Sequence, residues 1–566
     1  MQRRKFLRNI ILFLFAFIFG YTVKKEDNNR MLQRVDSTMV KGKDGKSIAD
    51  EIKTLTGQLA EITINVKSFG AKGDGIADDT QAIKDAFAYV KTNNIKHIYI
   101  PKGTYLIDGE ASEARYQNHD GGIYIDFPIF VELNDQATLK IKQNNLAGYN
   151  IFTIKNTDNV TIKGGNIVGD LDTHTGVAGA FGFGIFIADS TNITIDGLNI
   201  SKMWGDSIII DTIKINDTTF TSCTNITIKN CTFDTNRRQG MSVANVNGLY
   251  VYNNHIKNIG TVSGTAPMSG IDIETYPGNL TSSSNIIIKD NYFENNIGAD
   301  IILSENITSV KITNNFFKTY WLAVNISSMI TIIKDVQIIG NSIFGMPSAK
   351  WGVVIGPKNG DSILVKDNVI RDFTIDAFAS AVAFSGVASN VSILNNTINN
   401  CKLGINRDTT SNLAWNIIGN VLSNILDKGI RYAATALSQG DIINNNKLYN
   451  CVNTGMSLRT KKSTISGNLI DTAVTGIFLD ANTEDCNIIG NSLYNYTNRG
   501  VISYTASNFN NYIRNNLFKT TGAIKAIDIT GTPAGTPNII SGNVARYSTF
   551  VIVADTNCIV EGNYTV

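Results

Sequence analysis

The sequence predicts an all-β solenoid: about 15 coils of short stacked strands behind one short helix. Three observations predict it. A unit reading apolar-x-apolar-x, then Gly/Asn/Asp, then Asn, then x-apolar returns from about residue 159 to the carboxyl end, as in Val251-Tyr252-Asn253-Asn254-His255-Ile256 and Ile288-Lys289-Asp290-Asn291-Tyr292-Phe293. Its second polar slot falls at Cys231, Asn254, Asn291, Asn315, Asn341, Asn368, Asn396, Asn420, Asn446, Asn468, Asn491, Asn516, Asn543 and Asn563, at spacings of 20 to 37 residues. Between the slots runs a second unit, Gly followed by alternating apolar residues, as in Gly240-Met241-Ser242-Val243, Gly270-Ile271-Asp272-Ile273 and Gly476-Ile477-Phe478-Leu479. A period near 25 built from short alternating strands is the mark of a β-solenoid, whose coils bury their inward faces only by stacking. Leucine-rich repeats share the period, but their leucine pattern is absent.

Composition agrees and excludes several functions. The 566 residues are 43% hydrophobic and 17% charged, enough apolar surface for a long core and too little charge for a disordered chain. Lys and Arg number 50 against 48 Asp and Glu, so no general field would hold nucleic acid. Four histidines make a His-rich metal centre improbable, and 48 glycines against 8 prolines point to many tight turns.

The amino terminus reads as an address. Arg3, Arg4, Lys5 and Arg8 precede the apolar run Ile10 to Phe19, so residues 1–23 form an export signal or membrane anchor. Arg3-Arg4-Lys5-Phe6-Leu7 is twin-arginine-like. As a helix Ile10–Val23 would span about 21 Å, short of a ~30 Å bilayer core. Either form places the body of a bacterial protein outside the cytoplasm, secreted or tethered. Residues 24–60 are a linker and a short amphipathic helix: Ser47 and Asp50 make a capping-box pattern, and Ile48, Ile52, Leu55 and Leu59 form a seam under two heptads long. One reading packs this helix on its own domain. The other makes it a self-associating, trimeric stalk.

Residues 61–566 then form the solenoid domain. It opens with Ile64-Asn65-Val66-Lys67-Ser68-Phe69-Gly70-Ala71-Lys72-Gly73-Asp74-Gly75, continues through Asp78-Asp79-Thr80-Gln81-Ala82-Ile83, and reaches Ile98-Tyr99-Ile100-Pro101-Lys102-Gly103-Thr104-Tyr105. Gly73-Asp74-Gly75 is turn chemistry. Asp79 or Thr80 caps a helix whose Ile83, Phe87 and Val90 face inward. Asp74, Asp78 and Asp79 are read as structural. As a set, these residues resemble the entry to the pectate-lyase superfamily, the right-handed parallel β-helices that include polygalacturonase-related and phage-tailspike-related proteins. The resemblance implies that the helix closes the open end of the solenoid, where the core and strand edges would otherwise be bare.

Within the repeat, an asparagine at a fixed slot suits a left-handed turn and hydrogen bonds up and down the stack, a structural ladder with no chemistry. Cys401 and Cys451 occupy matching slots two coils apart, about 9.6 Å by the strand spacing. Cys486 and Cys558 lie farther apart still. Disulfides need Cα atoms within about 7 Å, so neither pair bonds, although Cys223 and Cys231 remain open. No Cys-x-x-Cys metal spacing occurs.

Chemistry is expected where coils break the period and polar residues cluster. The largest jump, 37 residues, lies between Asn254 and Asn291. Trp204-Gly205-Asp206-Ser207, Asn236-Arg237-Arg238-Gln239-Gly240-Met241-Ser242 and Ser269-Gly270-Ile271-Asp272-Ile273-Glu274-Thr275 stand in and before it. Strand alternation turns Ile271 and Ile273 inward and Asp272 and Glu274 outward. Aligning the glycine unit puts Asp206 beside Gln239, Ser242 beside Asp272, and Glu274 two coils from Asp211. The cluster also resembles the active site of the polygalacturonases, glycoside hydrolase family 28. There, four successive coils carry Asn-Thr-Asp, Asp-Asp, His-Gly and Arg-Ile-Lys. The matching positions here read Gly182-Phe183, Gly205-Asp206, Gln239-Gly240 and Asp272-Ile273-Glu274. Asp206 alone is retained, so the resemblance implies the site's location but not galacturonate recognition. Asn-Arg-Arg-Gln-Gly with Gly-Ile-Asp-Ile-Glu also resembles phage and bacterial members of the superfamily.

The expected catalytic residues are therefore Asp206, Asp272 and Glu274. Arg237, Arg238, Gln239 and Ser242 are expected to bind substrate, and Trp204, Tyr252 and Tyr276 to offer flat faces to sugars. A glycoside hydrolase would split the work between a protonated and an ionised carboxylate without a cofactor. A lyase would instead gather Ca²⁺ on Asp206, Asp272 and Glu274 and neutralise a uronate with Arg237 or Arg238. The non-enzymatic alternative is a glycan-binding rod or tailspike-like appendage that recognises a cell-wall polymer. Asp300 and Glu305 extend the acidic face. Coils past about residue 310 carry no comparable cluster and read as structural length or an extended binding face.

Overall fold

The computed structural model describes residues 62–109, 121–177, 179–216, 219–275, 282–408, 414–433, 437–505, 507–521, 524–546 and 551–566. The expected export signal, linker and stalk helix lie outside the described residues, as does Tyr276. Among the described residues no helix is long and apolar enough to cross a membrane.

From Thr63 onward the chain winds as a parallel solenoid of about 17 turns, two more than the slots suggested, because coils at the amino end lack the asparagine slot. Each coil lays down three strands, which stack into three faces. Face A holds Cys223–Lys229, Val246–Tyr252, Ser283–Lys289 and their equivalents in a 19-stranded parallel sheet. Face B holds three- to five-residue strands such as Thr232–Asp234, His255–Lys257 and Tyr292–Glu294. Face C holds Asp206–Asp211, Gln239–Val243, Ile271–Glu274 and Ala299–Ser304. Faces B and C merge late in the chain, where Lys447–Leu458, Leu469–Leu479 and Ser492–Ser503 run unbroken through the corner.

The core follows from period-two alternation. On face A, Ile226, Leu249, Ile286, Val310, Val336, Ile363, Val391 and Trp415 stand in one register column. All are buried, at roughly 1.5–3 kcal/mol for each aliphatic side chain.

The asparagine slot divides its two expected duties between two residues. The preceding residue takes the left-handed backbone, with φ of 56° at Asn253, 55° at Asp290, 67° at Gly340 and 54° at Asp367. The slot asparagine itself is buried and makes the ladder. The Asn315 amide N–H donates to Asn341 Oδ1 at 2.9 Å, Asn341 to Asn368 at 2.9 Å and Asn368 to Asn396 at 3.0 Å. Each Nδ2 also reaches a carbonyl one coil back, as Asn368 does to Ile338 at 2.8 Å. The ladder runs from Asn254 to Asn563, and Cys231 heads it by donating its N–H to Asn254 Oδ1 at 2.9 Å. All six cysteines are free, and five are buried.

The capping helix α1 spans Thr80–Thr92 and buries Ile83, Ala86, Phe87 and Val90, with Phe87 6.4 Å from Phe152 between ring centroids. Its first N–H is capped by Asp78, whose Oδ1 accepts from Thr80 N at 3.0 Å. Asp79 instead accepts from Lys72 N and Gly73 N at 2.6 and 3.0 Å, pinning the entry turn. Asp74 closes its own turn by accepting from Ile76 N and Ala77 N. The three aspartates are structural, as their turn setting implied.

Candidate active site

Each coil turns a corner between faces B and C. In the coils of Asp206 and Gln239 that corner is short, residues 202–205 and 235–238, whereas residues 169–180 before them and 258–270 after them swell into loops. The loop 258–270 of the 37-residue coil thus stands beside the strands that carry the acids. The register is the expected one: Asp206 opposes Gln239 on face C, and Ser242 opposes Asp272. Close stacking here requires glycine. A Cβ at Gly240 would lie 2.4 Å from Gly270 O, and one at Gly270 2.5 Å from Asp300 O.

One line of hydrogen bonds crosses three coils. Arg238 Nη1 donates to Asp206 Oδ2 at 2.8 Å and to Gln239 Oε1 at 2.8 Å. Gln239 Nε2 donates to Asp272 Oδ2 at 2.5 Å. Because Arg238 claims the amide oxygen, the amide nitrogen must face Asp272. A proton on Asp272 then sits on Oδ1, the oxygen that Gln239 leaves alone. Asp272 points outward as alternation requires, yet it is only 4% exposed. Burial pushes its carboxyl up to about 7 and the Glu274 charge adds to the rise, against the pull of Arg238 and the Gln239 N–H. Glu274, two residues along the strand, is exposed, and Ser242 is half-buried beside Asp272. Asp206, Arg238, Gln239, Asp272 and Glu274 form one constellation, and its two outward acids differ sharply in solvation.

The other expected contacts are placed differently. Arg237 staples the two swollen loops: Nη1 donates to Gly179 O at 2.7 Å and Nε to Ser263 O at 3.1 Å. Its guanidinium lies 3.8 Å from the centre of the Trp204 ring, and the His174 ring stacks 3.8 Å from the same centre. Two flat groups at that distance occupy opposite faces, so Trp204, 7% exposed, is packed rather than presented to a sugar. Tyr252 belongs to face A, opposite Lys229 and Lys289, with Lys289 Nζ 5.5 Å from its ring; Tyr250 lies on the same face. Neither tyrosine reaches the acids, because residues before the asparagine slot go to a different sheet. Asp300 is buried in the corner, where Asn296 Nδ2 and Thr319 Oγ1 each donate to it at 2.8 Å. Glu305 accepts from Met329 N, Ile330 N and Thr331 N, and so closes the turn of the next coil.

Behind Trp204 lies a buried network absent from the sequence reading. Asp170 accepts from Tyr149 Oη at 2.7 Å and pairs with His174 Nδ1 at 2.9 Å, while Trp204 N donates to Tyr149 Oη at 3.2 Å. The available signal was Asp170 and His174 four apart inside a twelve-residue break between strands. A second missed cluster fills the interior of the carboxy-terminal coils. Arg407 and Asp441, both fully buried, pair at 3.4 Å, with the guanidinium 4.5 Å from the Trp415 ring and 5.3 Å from that of Tyr432.

The acids do not form a calcium site as they stand. The Arg238 guanidinium occupies Asp206 and an amide N–H occupies Asp272, which leaves Glu274 as the uncommitted carboxylate. Among the described residues no group of three His, Cys, Asp or Glu, these acids included, is gathered so as to hold a metal ion.

Residues 63–320 match the family model described as "Rhamnogalacturonase A/epimerase, pectate lyase-like", and every residue of the constellation falls inside it. The chain is a pectate-lyase-like right-handed parallel β-helix. Residues 334–543 of this β-helix match the model "Periplasmic copper-binding protein (NosD)". Bacillus subtilis YclG is 28% identical over 517 residues, covering 89% of this chain and 74% of its own. Plasmin and fibronectin-binding protein A of Streptococcus pneumoniae is 24% identical, and the match spans 66% of this chain and 59% of that one. Among solved structures, the tailspike of E. coli bacteriophage HK620, bound to a pentasaccharide, aligns with TM-score 0.50 at 13% identity over 80% of this chain and 81% of its own, a likeness of fold.

Proposed function

We propose that the β-helix is an extracytoplasmic carbohydrate-active enzyme that hydrolyses glycosidic bonds of a polysaccharide. Asp272 is its general acid and Glu274 the partner carboxylate. The observation that carries this reading is the pairing on one strand face of a buried acid with an exposed one about 6.6 Å away at Cα. Burial keeps a proton on Asp272 for the leaving oxygen, and the exposed carboxylate of Glu274 stands beside it to activate water or attack carbon. Asp206 acts through Arg238 and Gln239, which orient Asp272. An acid–base division of labour needs no metal and uses the acids as they are held. The match to a rhamnogalacturonase and epimerase family supports carbohydrate chemistry. The periplasmic-type match and the similarity to a streptococcal surface-binding protein support a location outside the cytoplasm.

The test is release of reducing ends, with absorbance at 235 nm followed in parallel, from a panel of neutral, amino and uronate glycans with Ca²⁺ or chelator. Reducing ends without absorbance are expected, falling at least about 10³-fold in Asp272→Asn and Glu274→Gln. Absorbance that chelator abolishes would establish a lyase instead. The second reading is a non-catalytic glycan-binding rod; the streptococcal relative, named for binding plasmin and fibronectin, favours a binding role for the rod without naming its ligand. It would be established by glycan retention without any bond cleavage.

A further inference from the structure

An anionic sugar needs a cation at its binding site, and the two arginines beside the acids are both taken. Arg238 is 11% exposed at its side chain and lies against Asp206 and the Gln239 oxygen. Arg237, half-buried, is held between the loops by Nη1 on Gly179 O and Nε on Ser263 O, with its face on Trp204, and burial lowers its pKa. The next cation in the Glu274 column of face C is Lys155, reached through Ala244, Asp211 and Ala188. It is four coils away, about 19 Å at the strand spacing, and is buried. In the other direction, Lys350 stands three coils along, bound to Asp376 at 2.8 Å and resting 4.6 Å from the Trp351 ring. What this strand face shows to solvent is Glu274, with the half-buried hydroxyl of Ser242 nearby. The half-exposed cations nearby, Arg237 and Lys202, are held by the loop carbonyls and by Asp172, so Glu274 is the exposed charge on this strand face.

We infer that the sugars bound across Asp272 and Glu274 carry no carboxylate, sulfate or phosphate: the site takes a neutral or basic glycan and rejects uronate polymers and teichoic acids. The inference rests on the glycan-cleaving reading of this site and adds the class of its substrate. The reason is electrostatic. An anion placed against Glu274 would meet a like charge, and among the described residues the two nearby guanidiniums are already bound to other partners, in a site partly shielded from water. A hydroxyl or N-acetyl group meets no such opposition, and a protonated amine would be attracted.

The experiment is binding of the full-length Asp272→Asn variant to a glycan array on which each uronate polymer is printed beside its carboxyl-reduced form, with amino-sugar polymers and teichoic acids added. Retention is expected on at least one uncharged or basic polymer, with its anionic counterpart weaker by about tenfold or more. Glu274→Gln, added to Asp272→Asn, keeps the shape, removes the charge and should narrow that gap. The inference is overturned if an anionic polymer is held as well as its reduced form. It is also overturned if no uncharged or basic polymer is held, or if Glu274→Gln leaves the discrimination unchanged. Wild-type protein is run on the same polymers for bond cleavage. Retention of a neutral glycan without new reducing ends would sink the hydrolase reading and leave the substrate class standing.

Discussion

Asp272 and Asp300 are both buried aspartates pushed up to about 7, but their surroundings give them different work. Asp272 accepts on one oxygen from the Gln239 amide, which Arg238 holds by its own oxygen, and has the exposed Glu274 beside it. Asp300 has two neutral donors. Catalysis by protonated Asp272 should fall as pH rises through about 7. Gln239→Leu removes a hydrogen bond that favours the charged form, so its alkaline limb should move to higher pH; a purely structural role for Gln239 would lower the rate without moving the limb. For Asp300 the consequence is stability. Its folded pKa lies above the ordinary 3.8, so the unfolded chain loses its proton first and stability declines as pH climbs from about 4 to about 7. Asp300→Asn carries no such penalty. In denaturant titrations it should match wild type near pH 4 and exceed it by a few kcal/mol, an order-of-magnitude figure, at pH 8.

At the scale of the element, the asparagine ladder makes each corner depend on the next. Asn368 accepts from the N–H and Nδ2 of Asn341 and donates to Ile338 O and Asn396 Oδ1. Asn368→Ala would therefore strand donors and acceptors on both neighbouring coils inside an apolar core. A loss of roughly 2–4 kcal/mol is expected in equilibrium unfolding, against under about 0.5 kcal/mol for Lys311→Ala at an exposed strand position. The duty the sequence assigned to one asparagine falls to two because the left-handed bend and the inward amide cannot share one Cα. The exposed residue bends, and the buried one bonds. Strand phase likewise tells which face a residue joins: Tyr252 precedes the slot and goes to face A, whereas the acids follow the glycine unit and go to face C. That assignment was legible in the spacing.

Across the whole molecule, a solenoid's stability is a sum over neighbouring coils, so local damage stays local. The Arg407–Asp441 pair tests this. Asp441→Leu leaves a fully buried guanidinium without its counter-ion, at a cost of about 3–5 kcal/mol. Hydrogen exchange should rise across the coils between Phe384 and Ser463 and stay unchanged in the strands of Asp206, Gln239 and Asp272. Faster exchange at both places would mean that the β-helix unfolds as a single unit. The same independence lets one stretch of face C carry a reactive constellation while the coils beyond it remain regular.

By itself the sequence determined the solenoid, the coil boundaries wherever the asparagine slot recurs, the capping helix, the unpaired state of Cys401, Cys451, Cys486 and Cys558, and the outward aim of Asp272 and Glu274. These follow from period-two alternation and from stacking of like on like, both nearest-neighbour rules written into residue spacing. Tertiary structure decided what each arginine touches, why Trp204 is shut between His174 and Arg237, that Asp272 is buried although it points outward, and that an ion pair lies inside the carboxy-terminal core. Those outcomes depend on how irregular corner loops fold over the coils and on which side chains meet across them. No periodicity encodes such contacts, because corner residues obey no repeat.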